Sequence, residues 1–228
     1  MLVVGAHPDD IDFGAAGSVA LWVAAGAEVA YAVVTDGDAG GLDPAIDRHE
    51  LARIRREEQL AAAAAVGVHE VHFLGYPDGR LVADLALRRD LARLVRRVRP
   101  ERVVCPSPER DYTRLRVSHP DHLAVGEATL AAVYPDARNP FAFPELLEEG
   151  LEPHAVRELW IVGGPHANRA VDVTGTIERK IAAILAHRSQ HADPSGTAAR
   201  VRAFTAESAA AAGLGEGRFA ERFLVASI

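Results

Sequence analysis

Short apolar runs rich in β-branched residues alternate with longer helical patterns along this chain. That alternation is the mark of βαβ units, and it commits the chain to an α/β fold with a mostly parallel sheet. Strands are expected at Leu2–Ala6, Val29–Thr35, Val71–Leu74 and Arg102–Cys105, and later at Leu159–Val162 and Ala170–Val173, with Phe219–Val225 closing the chain. Between them helices are expected at Phe13–Ala25, closed by Gly26, at Asp47–Val66, closed by Gly67, and at Asp84–Arg99, stopped by Pro100. Leu51, Ile54 and Leu60 supply the apolar stripe of the second helix, and the arginine-rich outer face of the third reads as solvated. The four-proline stretch Tyr134–Pro153 reads as an irregular excursion with a short helix near Glu145. Helices at Thr176–Ala186 and Ala198–Ala212 complete the pattern, and no composition break among the 228 residues separates two domains.

Bulk properties exclude several function classes. No run approaches the roughly 18 apolar residues of a spanning helix, so no membrane partner is expected. The first residues enter a β-like run without a basic region before it, so a cleaved signal peptide is not expected. A net charge of −7 argues against nucleic acid, whose binding depends on basic surface. The single Cys105 rules out an intrachain disulfide framework, agrees with a cytoplasmic protein and reads as a small buried hydrophobe. A homo-oligomer is compatible with all of this.

The chemistry is concentrated at two strand ends. Ala6-His7-Pro8-Asp9-Asp10 follows the first strand, and Ser118-His119-Pro120-Asp121-His122 follows the fourth after a polar loop at Arg110–Val117. Open α/β sheets bind ligands beyond the carboxyl ends of their strands, so the two clusters can meet there. Neither holds enough donors alone. Together they offer the two imidazoles and one carboxylate of a three-ligand catalytic zinc site with an open position. Asp9 and Asp10 must point in different directions, so one can bind metal while the other faces the attacking water. His119 and His122 share one helix face, so one can be a ligand and the other reach the substrate. The second cluster also reads as a helix start, with Ser118 as cap, Asp121 returning the interaction and Pro120 at an early helical position. A nucleotide-binding module is disfavoured, because Gly5–Asp10 lacks the glycine fingerprint and puts negative charge where a pyrophosphate would sit.

These motifs, with Thr35-Asp36-Gly37, the Arg55 and Glu58 pair, Pro77-Asp78-Gly79 and the late His187-Arg188-Ser189-Gln190, resemble the PIG-L/LmbE family of zinc-dependent deacetylases of N-acetylated amino sugars and their conjugates. The resemblance spans essentially the whole chain. With the strand and helix pattern it implies a single-domain, Rossmann-like three-layer α/β/α sandwich over residues 1–228. It also implies that His7, Asp10 and His122 bind Zn2+, or another divalent metal, that Asp9 is the general base, and that His119 stabilises the oxyanion or donates a proton. Asp121 would orient His119, Arg55 would bind the sugar, and the implied partner is a small amino-sugar substrate. Asp78 reads as tying its turn, His187 as a candidate to line the cleft, and Asp36–Gly41 as a loop that could fold over the sugar. Specificity is expected in the loops Asp36–Arg48, Glu109–Val117 and Tyr134–Pro153. Hydrolysis of a larger amide, such as a sugar-thiol conjugate, is the competing enzymatic reading.

Overall fold

In the computed structural model, which describes residues 1–41 and 43–228, the apolar runs pair into one sheet. Its strands are β1 (Leu2–Gly5), β2 (Ala30–Thr35), β3 (Glu70–Tyr76), β4 (Arg102–Pro106), β5 (Glu158–Val162), β6 (Arg169–Asp172) and β7 (Ala220–Ser227). They lie in the order β3-β2-β1-β4-β5-β7-β6. The first five run parallel, while β7 is antiparallel to both β5 and β6. Every residue of β1 and β2 is buried. Parallel strands covered on both faces are continuously apolar rather than alternating, which is how those two segments read in the sequence.

The helices are α1 (Asp10–Ala24), α2 (Arg48–Val66), α3 (Leu85–Val98), α4 (Pro120–Val133), α5 (Glu145–Glu148), α6 (Ile177–Ala186) and α7 (Pro194–Ala211). Successive strand residues face opposite layers. Leu2, Val4, Ala32 and Val34 pack on one side with Leu91 of α3 and Val125 of α4. Val3, Tyr31, Val33 and Val104 pack on the other with Val19 of α1, Ala62 and Val66 of α2 and Ala183 of α6. The expected α/β/α sandwich is therefore present. Progression along the sheet reverses between β1 and β4, and such a reversal leaves a crevice at the carboxyl ends of the two strands.

Three features depart from the sequence reading. Helix α1 starts at Asp10, three residues before the expected Phe13, because the Asp9 carbonyl already accepts from the N–H groups of Asp12 and Phe13. Helix α7 begins at Pro194, behind an Asp193 side chain that caps Gly196 N–H, with proline at an early position where its missing donor costs nothing. On α2 the buried stripe is Leu51, Arg55, Gln59, Ala62, Ala63 and Val66, whereas Leu60 is 47% exposed. Two polar residues occupy that stripe, so apolar periodicity pointed to a neighbouring face.

The arginines of α3 are not simply solvated. Arg96 is 2% exposed, and its guanidinium donates to the carbonyls of Asp136, Ala137, Asn139 and Ala142. Arg88 grips Asp136 through Nε at 3.0 Å and Nη2 at 2.9 Å, and Arg93 grips Glu149 at 2.8 and 2.9 Å. One face of α3 thus fastens the 134–153 excursion, whose carbonyls have no regular ladder to accept them. Arg96→Ala strands several buried acceptors and should lower the unfolding free energy by about 3 kcal/mol. For a chain of this size that corresponds to a fall in Tm of roughly 6–12 °C. A Tm within about 2 °C of the parent would show that these carbonyls find water instead.

Candidate active site

The first half of the site is the link from β1 to α1. Gly5 is needed at the strand end because a Cβ there would meet Ile11 Cγ1 at 2.8 Å. Asp9 then adopts φ 101° and ψ −27°, a left-handed conformation that costs a residue with a Cβ about 1–3 kcal/mol. That twist separates Asp9 from Asp10. Asp10 returns toward His7, and its Oδ2 accepts the His7 N–H at 2.7 Å. The second half is the start of α4, where Pro120 occupies an early helical position and His122 follows.

The two halves meet across the β1–β4 crevice. His7 Nδ1 lies 3.2 Å from Asp10 Oδ2, His122 Nε2 lies 3.1 Å from Asp10 Oδ1, and the two imidazole nitrogens are 3.3 Å apart. A tetrahedral ion with bonds of about 2.0–2.2 Å needs donors about 3.3–3.6 Å apart. These three distances, which engage both oxygens of Asp10, fall within a few tenths of an ångström of that spacing. The outer nitrogens also fit. His122 Nδ1 faces the Val117 carbonyl at 3.2 Å, while His7 Nε2 faces Asp78 Oδ1 at 3.1 Å and Asp121 Oδ2 at 3.2 Å. Outer acceptors of this kind hold the proton on the far nitrogen and leave the inner lone pair for a cation.

Electrostatics favour a cation here as well. Burial alone would lower His7, but Asp10, Asp121 and Asp78 outweigh it and push the imidazole up to about 12. Burial would likewise raise Asp10, yet His122 and His7 hold its carboxyl well below the usual carboxylate range. His119 also brings a donor atom within 4.8 Å of His7 and His122, and Asp78 with Asp121 forms a second such group around His7. That second group is engaged: Asp121 accepts the N–H groups of Gly79 at 2.7 Å and Leu81 at 3.2 Å, and Asp78 accepts that of Ala39 at 3.3 Å. His7, Asp10 and His122 also converge here, although the groups whose ligand atoms all lie within 4.8 Å of one another are His7 with His119 and His122, and His7 with Asp78 and Asp121.

The helix start differs from expectation. His119, not Ser118, is the cap: its Nδ1 accepts the Asp121 N–H at 3.2 Å, while Ser118 Oγ is taken by the Asp111 N–H at 2.8 Å. An accepting Nδ1 requires the proton on Nε2, so His119 is a neutral donor, in keeping with burial and the neighbouring His7 lowering its pKa. The Asp121 carboxylate faces His7 rather than His119, because the first turn of α4 directs it under the β1 motif. Its carboxylate contacts His7 Nε2 at 3.2 Å in place of the expected contact with His119.

Asp9 is only partly exposed, and its Oδ2 lies 3.3 Å from Arg55 Nη2. Burial and the Asp10 carboxylate raise its pKa to about 7, against the opposing pull of Arg55. Arg55 itself is 3% exposed and also donates to the carbonyls of Pro8 and Gly37. It does not pair with Glu58, which instead accepts from the Ser189 N–H and hydroxyl, both at 2.7 Å. Asp78 ties its turn, as expected: its N–H donates to Asp38 Oδ1 at 2.9 Å while it receives Ala39. His187 does not line the cleft. It is fully buried, with Nε2 at 2.8 Å from Asp12 Oδ2. Cys105 is buried in the core as expected. The loop Asp36–Arg48 contains position 42, which lies outside the described residues.

Two buried polar residues at the site went unread in the sequence, Asp12 on α1 and Gln59 on α2. Their signal was there, since each is polar at a helix position that faces the sheet. A cavity of about 420 Å3 opens beside Asp10 and His122, lined by Phe13, Val117, Val162 and Phe204, with Arg114 and Arg116 also on its wall.

Residues 2–133 match the family model described as PIG-L, GlcNAc-PI de-N-acetylase. The diacetylchitobiose deacetylase of Thermococcus kodakarensis is 31% identical over 190 residues, covering 83% of this chain and 69% of that one. A probable N-acetyl-alpha-D-glucosaminyl L-malate deacetylase 2 of Bacillus cereus is 29% identical, covering 83% of each chain. Among solved structures, N,N'-diacetylchitobiose deacetylase from Pyrococcus horikoshii, complexed with its inhibitor MPG, superposes with a TM-score of 0.90 at 31% identity. It covers 99% of this chain and 82% of that one.

Proposed function

Since the chain belongs to the PIG-L family, we propose that it is a zinc-dependent hydrolase, one domain over residues 1–228, that removes the acetyl group from an N-acetylated amino sugar or its conjugate. The observation that carries the reading is the triangle of His7 Nδ1, Asp10 and His122 Nε2, with edges of 3.1 to 3.3 Å. In this reading those three residues hold the ion. A divalent ion there supplies a Lewis acid for the amide carbonyl and makes water a nucleophile at neutral pH.

The chain's own residues do the rest. Asp9 takes a proton from the attacking water, whose oxygen adds to the acetamide carbon. A carboxylate that titrates near 7 suits that task, because a base is most effective when its pKa lies near the working pH. The neutral His119 offers its Nε2–H to the carbonyl oxygen as negative charge develops there, in the manner of an oxyanion hole. Asp9 then passes its proton to the nitrogen as the C–N bond breaks, and acetate and a free amine leave. Arg55 is assigned to holding Asp9 and the turn at Pro8 rather than to gripping the sugar, since its N–H groups are directed at those atoms.

The cavity of about 420 Å3 falls within the range of small-molecule sites, about 300–1,000 Å3. It reaches from Asp10 and His122 to Phe204, and His7, Asp9 and His119 are not on its wall. No described helix is long and apolar enough to cross a membrane, and we place the protein in the cytoplasm on its lone, buried Cys105. The test is acetate release from N-acetylglucosamine, N,N'-diacetylchitobiose and N-acetylglucosaminyl conjugates. Chelated protein should be inactive and zinc should restore it. Turnover that survives complete chelation would sink the metal-dependent reading, and preference for a bulky conjugate over free sugar would move the substrate toward the larger amides.

A further inference from the structure

Asp9 holds its backbone in the left-handed region, at φ 101°, and something must keep it there with its carboxylate turned to the site. Its N–H donates to Gln59 Oε1 of α2 at 2.9 Å. The other end of the same carboxamide, Nε2, donates to Asp12 Oδ2 at 2.9 Å, and that oxygen also faces His187 Nε2 at 2.8 Å. Gln59, Asp12 and His187 are each 0% exposed. A buried carboxamide whose amino end is fixed to a carboxylate can present only its oxygen to the opposite side; the outer atoms of the pair behind it, Asp12 Oδ1 and His187 Nδ1, are buried without a hydrogen-bond partner. The three residues come from α2, α1 and the end of α6, so the first turn of α1 is referenced to two packed helices rather than to the loop that carries the motif.

We propose that Gln59 is a positioning residue for Asp9: its carboxamide, oriented by the Asp12–His187 pair, fixes the Asp9 backbone so that the carboxylate faces the attacking water. The inference rests on the reading of Asp9 as the base. It assigns Gln59 no contact with substrate or metal. Gln59→Leu keeps the bulk and removes both hydrogen bonds, so the base should lose its alignment while the ligand triangle stays intact. A misplacement of about 1 Å can cost about 10²-fold in rate.

The experiment measures kcat, KM and bound zinc for Gln59→Leu, Asp9→Asn and the double variant. Gln59→Leu should lower kcat by about 10²-fold with KM and zinc content close to the parent. In the Asp9→Asn background the same change should add less than about threefold, because no base remains to misalign. The paired exchange Asp12→Asn with Gln59→Glu reverses donor and acceptor between the two side chains. It should recover at least about tenfold of the lost kcat. If Gln59→Leu is insoluble, the exchange and Gln59→Met take its place in the same comparison. A kcat within about threefold of the parent in folded protein overturns the proposal, as does a kcat loss that tracks zinc loss or persists additively in the Asp9→Asn background. Full turnover by Asp9→Asn would instead overturn the role of Asp9, independently of Gln59.

Discussion

Asp9→Asn should leave bound zinc unchanged and lower kcat by about 10² to 10⁴-fold, the span that a positioned acid–base group contributes. The separation of the two outcomes follows from the turn. Asp10, not Asp9, closes the triangle with His7 and His122, and Asp9 faces Arg55 at 3.3 Å instead. Asparagine preserves size and an accepting oxygen but cannot take a proton from water or return one to the amine. The variant should therefore still bind substrate, with KM moving much less than kcat. Zinc content by metal analysis and initial rates of acetate release decide the matter. A parallel loss of metal would mean that Asp9 belongs to the ligand set.

His122→Ala should do the reverse, losing metal and activity together. It removes one of the three donors proposed above and leaves His7 and Asp10, both on the β1 side, without a partner from α4. Replacing an outer partner of a metal ligand typically costs about 10–100-fold in affinity. Removal of the ligand itself should exceed that, and acetate release should fall to background. Asp121→Asn provides the graded comparison, since Asp121 contacts His7 through Nε2, on the side away from Asp10, and otherwise accepts the N–H groups of Gly79 and Leu81. Circular dichroism should stay near the parent for His122→Ala and its Tm should match that of the chelated parent, because His122 is not among the buried apolar residues of either layer. Retained zinc in His122→Ala would remove the triangle as the metal site.

The parts of this protein legible in the sequence are those governed by local pattern. Fully buried strands announce themselves as unbroken apolar runs, and Gly67 marked the end of α2 in the sequence. The two His-Pro-Asp motifs were equally plain, because imidazoles and carboxylates at strand ends have few other uses. What escaped was polar work done inside helices. Arg55, Gln59 and Asp12 face inward where periodicity leads one to look for leucine, and Arg96 was assigned to solvent because its companions on α3 are charged. Partner identity is nonlocal in each case: Arg96 meets carbonyls some 40 to 46 positions away, and the Asp121 carboxylate passes over His119 to reach His7, 114 positions distant. Local rules favoured Ser118 as a cap, and a histidine ring took the place.

The separation of the two half-sites bears on synthesis. His7 and His122 are 115 positions apart and meet only once β1 has paired with β4 across the reversal of the sheet. A nascent chain that has emerged as far as β3 carries His7, Asp9 and Asp10 but no counterpart from α4. On the ligand set proposed above it has no assembled centre with which to act, and the order of strands would serve as a timer on the chemistry.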